Sequence, residues 1–390
     1  MKKNIHLMYA IALLQGMVFY GPVATLYRQA QGVSVFEITL IESISLLLCL
    51  LLEIPWGVAA DRIGYRRTMV FCCMLYLVSK IVFWQARGFG GFLLERVMLS
   101  VIMAGMSGVD TSILYLSCER GKSQRVFGIY DGLLTAGLLI ASVVFSVFIG
   151  DNYRLAGGLT VISYALAALC SLGLTEVKAE RSGAFCLEEC KAVFRQTFRD
   201  KYLLLFLAAV AFLSETHQTI TVFLNQLQYV KCGLSAPAMG YIYTAVTLAG
   251  LVGVYSARFT GKTGTGRAGL LFFGGACAAC LVLALTRRAA LSVGSILTLR
   301  IAASLFQPFE LELQNRQIRT QNRATALSVN AMLTDSIGAG TNLLFGALAQ
   351  RSLPGAFFFG GGLCLAGLLL FYVWYGRWKQ PPAAMSEGTP

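Results

Sequence analysis

The chain has 390 residues, 56% of them hydrophobic and only 13% charged, with a mean hydropathy of +0.67 and a net charge of +13. Soluble proteins carry about 25% charged residues, so this composition excludes a cytosolic enzyme, a disordered scaffold and a secreted disulfide domain. It leaves an all-α, polytopic membrane protein, whose 40 glycines sit mostly inside apolar runs, where transmembrane helices carry them.

A bilayer-crossing helix needs about 20 mostly apolar residues. In chain order, twelve segments qualify: 5–26, 37–60, 67–86, 92–117, 125–149, 155–174, 202–229, 237–257, 268–286, 289–312, 325–349 and 355–375. Arg300 interrupts the tenth and Asp335 the eleventh. Lys2 and Lys3 precede a stretch too long for a signal peptide and without a small-residue cleavage site, so the first segment reads as a retained helix. The longer connection after the sixth segment mixes charges with Phe185, Leu187, Val193, Phe194 and Phe198, the pattern of an amphipathic helix on a membrane surface. The chain therefore divides into a six-helix bundle (1–175), a cytoplasmic central loop (176–201), a second six-helix bundle (202–376) and a cytoplasmic tail (377–390).

Charge orients these segments. With the N-terminus inside, inner segments hold 22 of the 32 Lys and Arg residues, outer ones hold 7, and Lys80, Arg96 and Arg300 lie within spans. Positive residues mark cytoplasmic loops, so both termini are expected in the cytoplasm. The same dispersal of positive charge into short clusters argues against a nucleic-acid partner, which needs a continuous basic face. Cys49, Cys72, Cys73, Cys170 and Cys364 lie in apolar runs as small hydrophobes. Cys277 and Cys280 have redox spacing but an apolar helical setting, and Cys186 and Cys190 read as reduced thiols; no metal set emerges. The stretch Ser256–Thr263 has Ser256 where a P-loop requires glycine, so ATP is not expected as a partner.

The loop after the second segment reads Gly57-Val58-Ala59-Ala60-Asp61-Arg62-Ile63-Gly64-Tyr65-Arg66-Arg67, and Gly253–Thr260 repeats it in degenerate form after the eighth, with Arg258 on Arg62 and Ala257 on Asp61. Gly57–Arg67 closely resembles motif A of the major facilitator superfamily, G-x-x-x-D-R-x-G-R-R/K, at its usual place between helices two and three. Glu53-Ile54-Pro55-Trp56-Gly57 and Arg323-Ala324-Thr325-Ala326-Leu327-Ser328 are similar to bacterial segments of the same family. The resemblance covers the whole chain and implies two pseudo-symmetric six-helix bundles with a site between them. It also implies alternating access, with Gly57, Asp61, Arg62, Gly64, Arg66 and Arg67 forming a cytoplasmic latch. Gly57 and Gly64 would permit the close approach and tight turn, and Asp61 would pair with a basic residue or a helix N-terminus of the other half. A simpler alternative gives these arginines only a topological role. Two motifs of drug–proton antiporters depart from pattern: Arg96 fits helix four but Ser100 stands at its glycine position, and no Gly-Pro pair occurs in Phe127–Gly150, where Gly128, Gly132 and Gly137 remain.

Ionisable groups within spans are expensive and mark functional sites or buried pairs. Glu215 lies about 20 Å into the seventh segment at about 1.5 Å per residue, on a stripe with Gln218, Thr219, Val222, Gln226 and Tyr229 that is expected to line a polar cavity. His217, two residues away, is expected to be satisfied by a neighbour. Ser328, Asp335 and Asn342 repeat every seven residues as a second polar face. Glu215, Asp335 or Asp110 is a candidate proton carrier, with Asp131 beside them, and Arg300 a counter-ion or an anchor for an anionic group. The alternative is a structural pair of Arg300 with Glu215 or Asp335. Lys80 is expected to snorkel outward and Glu42 to reach the outer interface.

These expectations add up to a monomeric secondary transporter of the cell inner membrane, neither enzyme nor cofactor protein. It would move a small-molecule substrate at the expense of a proton gradient. The 25 Phe and 16 Tyr suit efflux of an amphipathic or drug-like compound by antiport. Proton-coupled symport of a nutrient or metabolite is the alternative, favoured by the missing Gly-Pro pair, and a non-transporting receptor is a remote one.

Overall fold

The computed structural model describes residues 2–118, 123–177, 195, 197–317 and 323–378. Twelve helical crossings run through them. The first bundle comprises α1 (Lys2–Ala30), α2 (Val35–Ile63), α3 (Tyr65–Gln85), α4 (Gly88–Ser117), α5 (Arg125–Ile149) and α6 (Tyr153–Leu172). The second comprises α7 (Lys201–Lys231), α8 (Ala236–Thr263), α9 (Thr265–Leu285), α10 (Ala289–Gln317), α11 (Arg323–Arg351) and α12 (Leu353–Trp378). Eleven of these are long and apolar enough to cross a membrane. The exception, α11, has the length at 29 residues but carries a polar face. Most of the central loop, including Cys186 and Cys190 and most of its expected amphipathic helix, lies outside the described residues, as do residues 379–390 of the tail. Cys277 and Cys280 remain thiols.

Both bundles use one packing scheme. α1 packs on α5 and α6, α2 on α4, and α3 on α4 and α6; α7 likewise packs on α11 and α12, α8 on α10, and α9 on α10 and α12. Between lipid-embedded helices there is no hydrophobic drive to associate, so small residues that let backbones approach matter most. Gly16 of α1 and Gly137 of α5 face each other so closely that a methyl group on Gly16 would meet the Leu134 carbonyl, and one on Gly137 the Leu13 carbonyl. In the second bundle aromatic rings fill the equivalent gaps. The Phe371 ring of α12 lies over Gly269 of α9, and the Phe273 ring of α9 lies over Gly367 of α12.

Helix ends and interruptions follow local chemistry. Asp200 caps α7 by accepting from the backbone N–H of Tyr202 (3.1 Å) and Leu203 (3.0 Å), and Asn152 caps α6 through Leu155 N–H at 3.0 Å. α1 loses its helix over Met17–Tyr20 and resumes through Gly21-Pro22, giving a separate outer segment, Ala24–Ala30. Phe19 N–H, freed by the break, donates to Thr160 Oγ1 of α6 at 3.0 Å, so the interrupted backbone is satisfied by protein rather than by lipid. α4 breaks at Ser107 and Gly108, whose φ is +79°. α7 contains a π-helical stretch, Thr219–Leu224.

The two bundles meet through α2 against α11 and α5 against α8. Three contacts between them lie on the side away from the chain termini. Ser43 Oγ donates to the Ala339 carbonyl at 2.9 Å, the hydroxyls of Ser142 and Thr244 pair at 2.7 Å, and Gln226 Oε1 accepts from Thr25 N–H at 2.8 Å. Glycines permit the approach here too. Gly346 of α11 rests on the Thr39 side chain and Gly240 of α8 on that of Ser146. Towards the termini, Asp131 and Gly132 of α5 are exposed, and a methyl on Gly128 or Gly132 would touch nothing within 4 Å. The contacts described join the bundles at the end away from the termini.

Candidate functional site

Glu215 sits on α7 where it faces α11. Its Oε2 accepts from Asn342 Nδ2 at 3.0 Å, and Asn342 Oδ1 accepts from Thr219 Oγ1 at 2.5 Å. The carboxylate lies over Gly338, where a methyl group would stand 2.6 Å from it, so only glycine leaves it room. Asp335 of α11 and Glu42 of α2 are the carboxylates within electrostatic reach of Glu215. The first is two turns from Asn342 on the same polar face; the second belongs to the other bundle. Glu215 thus links α7 to α11 within the second bundle at mid-depth, held by an amide and with no cation within ion-pair distance among the described residues.

The expected stripe on α7 does not survive as a cavity wall. Gln218 is exposed, but Thr219 is buried in the Asn342 contact, Gln226 is 3% exposed and Tyr229 is 2% exposed. The π-helical stretch is the reason. Its wider turn accommodates an extra residue, so positions beyond Leu224 rotate off the face that carries Glu215. Gln226 instead reaches the first bundle. Its Oε1 takes both Thr25 N–H and Leu26 N–H (3.3 Å), capping the outer segment of α1. His217 is engaged by Thr221, one turn on, whose hydroxyl is 3.3 Å from Nε2.

Arg300, near the middle of α10, is not the partner of Glu215. Its guanidinium lies against Gly250 of α8, where a methyl group would be 2.5 Å from Nη2. Tyr243 of α8 and His217 of α7 are the titratable groups it faces. Tyr243 extends further, its hydroxyl lying 3.4 Å from where a methyl on Gly21 would be, at the break in α1.

The first bundle holds a buried charge network that the sequence reading misplaced. Lys80 does not snorkel: it is 5% exposed, and its Nζ donates to Glu95 Oε1 at 3.3 Å and to Tyr20 Oη at 3.1 Å. The Tyr76 and Tyr164 rings lie 5.3 Å and 5.5 Å from the same ammonium, close enough for cation–π attraction. Arg28, counted with the outer loops, is buried on the outer segment of α1. It lies 4.0 Å from Glu95 and 5.5 Å from the Phe83 ring centre. Glu42 does not reach an interface; it is buried and paired with Arg96 of α4, beside the Ser45–Ser100 hydroxyl pair at 2.8 Å. Ser100 therefore supplies a hydrogen bond where the antiporter motif has glycine. Glu95 escaped attention in the sequence, although α3 and α4 form a tight hairpin that brings Lys80 and Glu95 to similar depth.

At the terminal side, Asp110 follows the break in α4 and lies 3.5 Å from the Tyr130 hydroxyl, with Asp131 of α5 within electrostatic reach. The side chains of Gly57–Arg62 lie outside the described residues, so the latch expected of Asp61 and Arg62 has no geometry here. Gly64 adopts a φ of +98°, which the turn requires of glycine. Arg66 pins that turn to the end of α6: its Nε donates to the Leu174 carbonyl at 2.6 Å and its N–H to Glu176 Oε1 at 3.1 Å. Arg67 is exposed.

Residues 5–341 match the Major Facilitator Superfamily. An uncharacterized MFS-type transporter of Methanocaldococcus jannaschii is 24% identical over 155 residues, which cover 39% of this chain and 40% of that relative's length. Among solved structures, the nucleoside transporter NupG superposes with a TM-score of 0.79 at 15% identity, covering 97% of this chain and all of that one. A POT family transporter in complex with 5-aminolevulinic acid gives 0.75 at 14% identity, over 96% of each chain. A bacterial homolog of the human lysosomal transporter Spinster, inward-facing and unoccupied, gives 0.69 at 17% identity, over 96% of this chain and 94% of that one. At such identities the likeness is one of fold, and it agrees with the paired bundles described above. The chain belongs to the Major Facilitator Superfamily.

Proposed function

We propose that the protein is a proton-coupled secondary active transporter that moves a small solute by alternating access. In this reading both termini are in the cytoplasm of an inner membrane, so the joined end faces away from the cytoplasm. Glu215 is the proton site, and the observation that carries the proposal is its setting. A mid-membrane carboxyl between α7 and α11 is held by Asn342 without a pairing cation among the described residues, within electrostatic reach of Asp335 and of Glu42 in the other bundle. An ionisable group at membrane depth marks a functional site, and rearrangement of the α7–α11 contact on opening would expose this one to the other side.

Efflux of an amphipathic compound by antiport remains the first direction, on the aromatic content. Uptake by symport is a second reading, favoured by Arg300, a charged anchor better suited to a polar metabolite. The test uses the full chain in proteoliposomes loaded with a pH-sensitive dye, under an imposed proton gradient, with lipophilic cations, sugars and organic acids as candidate solutes. Solute-dependent proton flux is expected, its direction choosing antiport or symport. Glu215→Gln is expected to abolish the flux while retaining solute counterflow. Undiminished proton flux in Glu215→Gln would remove the residue from the mechanism.

A further inference from the structure

Among the described residues, four buried or half-buried cations lie at membrane depth: Arg28, Lys80, Arg96 and Arg300. The first three each face a glutamate within 4.0 Å: Glu95 for Arg28 and Lys80, and Glu42 for Arg96. Arg300 differs. Among the described residues no carboxylate lies within ion-pair distance of it, its Nε is buried without a hydrogen-bond partner, and Glu215 is committed to Asn342. Leaving a guanidinium uncompensated in a low-dielectric interior is costly, and residues in this position mark a ligand path or an absent partner.

Its surroundings hold it in place without neutralising it. Gly250 lets the guanidinium lie flat against α8, with Nε and Nη2 at 2.8 Å and 2.5 Å from the position a methyl group would take. Tyr243, within electrostatic reach of the guanidinium, extends from α8 to Gly21 of the first bundle, where α1 loses its helix. His217, occupied by Thr221, is the neighbour on the α7 side. A planar fork of donors with no counter-ion suits a carboxylate or phosphate oxygen pair.

We infer that the transported solute is an organic anion whose acidic group seats on Arg300 between Tyr243 and His217. The inference rests on the transporter reading and specifies its substrate class. It is tested with the purified full chain in detergent, by thermal shift against benzoate, phenylacetate, citrate and phenyl phosphate. Each acid is paired with its neutral amide or alcohol. At least one acid is expected to raise the melting temperature while its neutral partner does not. Arg300→Gln should bind that acid about 10–100-fold more weakly, the loss expected for a hydrogen-bonded charge, and Arg300→Lys should retain part of the affinity. Gly250→Ala, which keeps the charge but displaces the fork, should also weaken binding while folding normally. Glu215→Gln should bind the acid yet move no protons, so failure of the proton site and failure of the anion site give different patterns. Equal responses to acids and neutral partners, no response to any acid, or wild-type affinity in Arg300→Gln would overturn the inference.

Discussion

Under the alternating-access proposal, Gln226 makes a bond that one conformational state has and its opposite lacks. Its side chain crosses from α7 to the first bundle and accepts Thr25 N–H at 2.8 Å and Leu26 N–H at 3.3 Å. Gln226→Ala leaves both donors without that acceptor in the sealed state, where Gln226 and Thr25 are buried. A neutral hydrogen bond contributes about 0.5–1.5 kcal/mol net, and a buried unsatisfied donor costs about 1–3 kcal/mol. The longer second bond is the weaker, so about 1–3 kcal/mol is lost in all. In the opposite state, with the bundles parted on that side, water serves these donors and the substitution is nearly neutral. The difference shifts the equilibrium towards that state by about 5–150-fold. Spin labels at Ala30→Cys and Lys231→Cys, at the adjoining ends of α1 and α7, report it by pulsed electron resonance in a background freed of native cysteines. We expect one short distance in the parent and a second, longer population in Gln226→Ala. An unchanged distance distribution in a folded, monodisperse variant would show that the cap does not hold the seal.

Lys80→Met removes the nearer of the two cations facing Glu95 and leaves the carboxylate with Arg28 at 4.0 Å. Breaking a buried pair from one side costs up to about 3–5 kcal/mol, so the melting temperature should fall, and adding Arg28→Met, which removes the second cation, should lower it further. Gly16→Val drives a side chain into the Leu134 carbonyl and separates α1 from α5. Overpacking of this kind costs about 1–3 kcal/mol, so the variant should melt earlier, whereas the same change at exposed Gly132 should leave the melting temperature unmoved.

Much of the architecture was legible because a membrane makes hydropathy nearly sufficient. Apolar runs of the right length marked eleven of the crossings and a more polar run marked α11, and the loop around Gly64 marked the family. What stayed hidden were features that depend on local helix geometry and on partners distant in sequence. The stripe from Glu215 to Tyr229 assumes an uninterrupted period of 3.6, and the π-helical turn at Thr219–Leu224 breaks that assumption; no residue there advertises it. Lys80 looked free to reach the interface because its tyrosine cage comes from α1, α3 and α6. Glu95 could have been found by counting from the α3–α4 turn, since residues equally far from a tight hairpin share a depth. The Arg300–Glu215 pairing failed for a similar reason: both residues are mid-membrane, but Asn342 and Gly250 fix them on different neighbours.

The polar face of α11 bears on how the protein is made. A segment leaving the translocon partitions according to its own apolarity, and a central acidic residue opposes entry by about 2.5–3.5 kcal/mol. With Asp335 near its middle, α11 does not reach the apolarity of the other eleven helices. In the finished molecule it leans on α2 and α7, which are synthesised long before it. Seating α11 therefore draws on a docking surface laid down by earlier parts of the chain. A chain deprived of its first six helices would lose the α2 face against which its penultimate, least apolar helix packs.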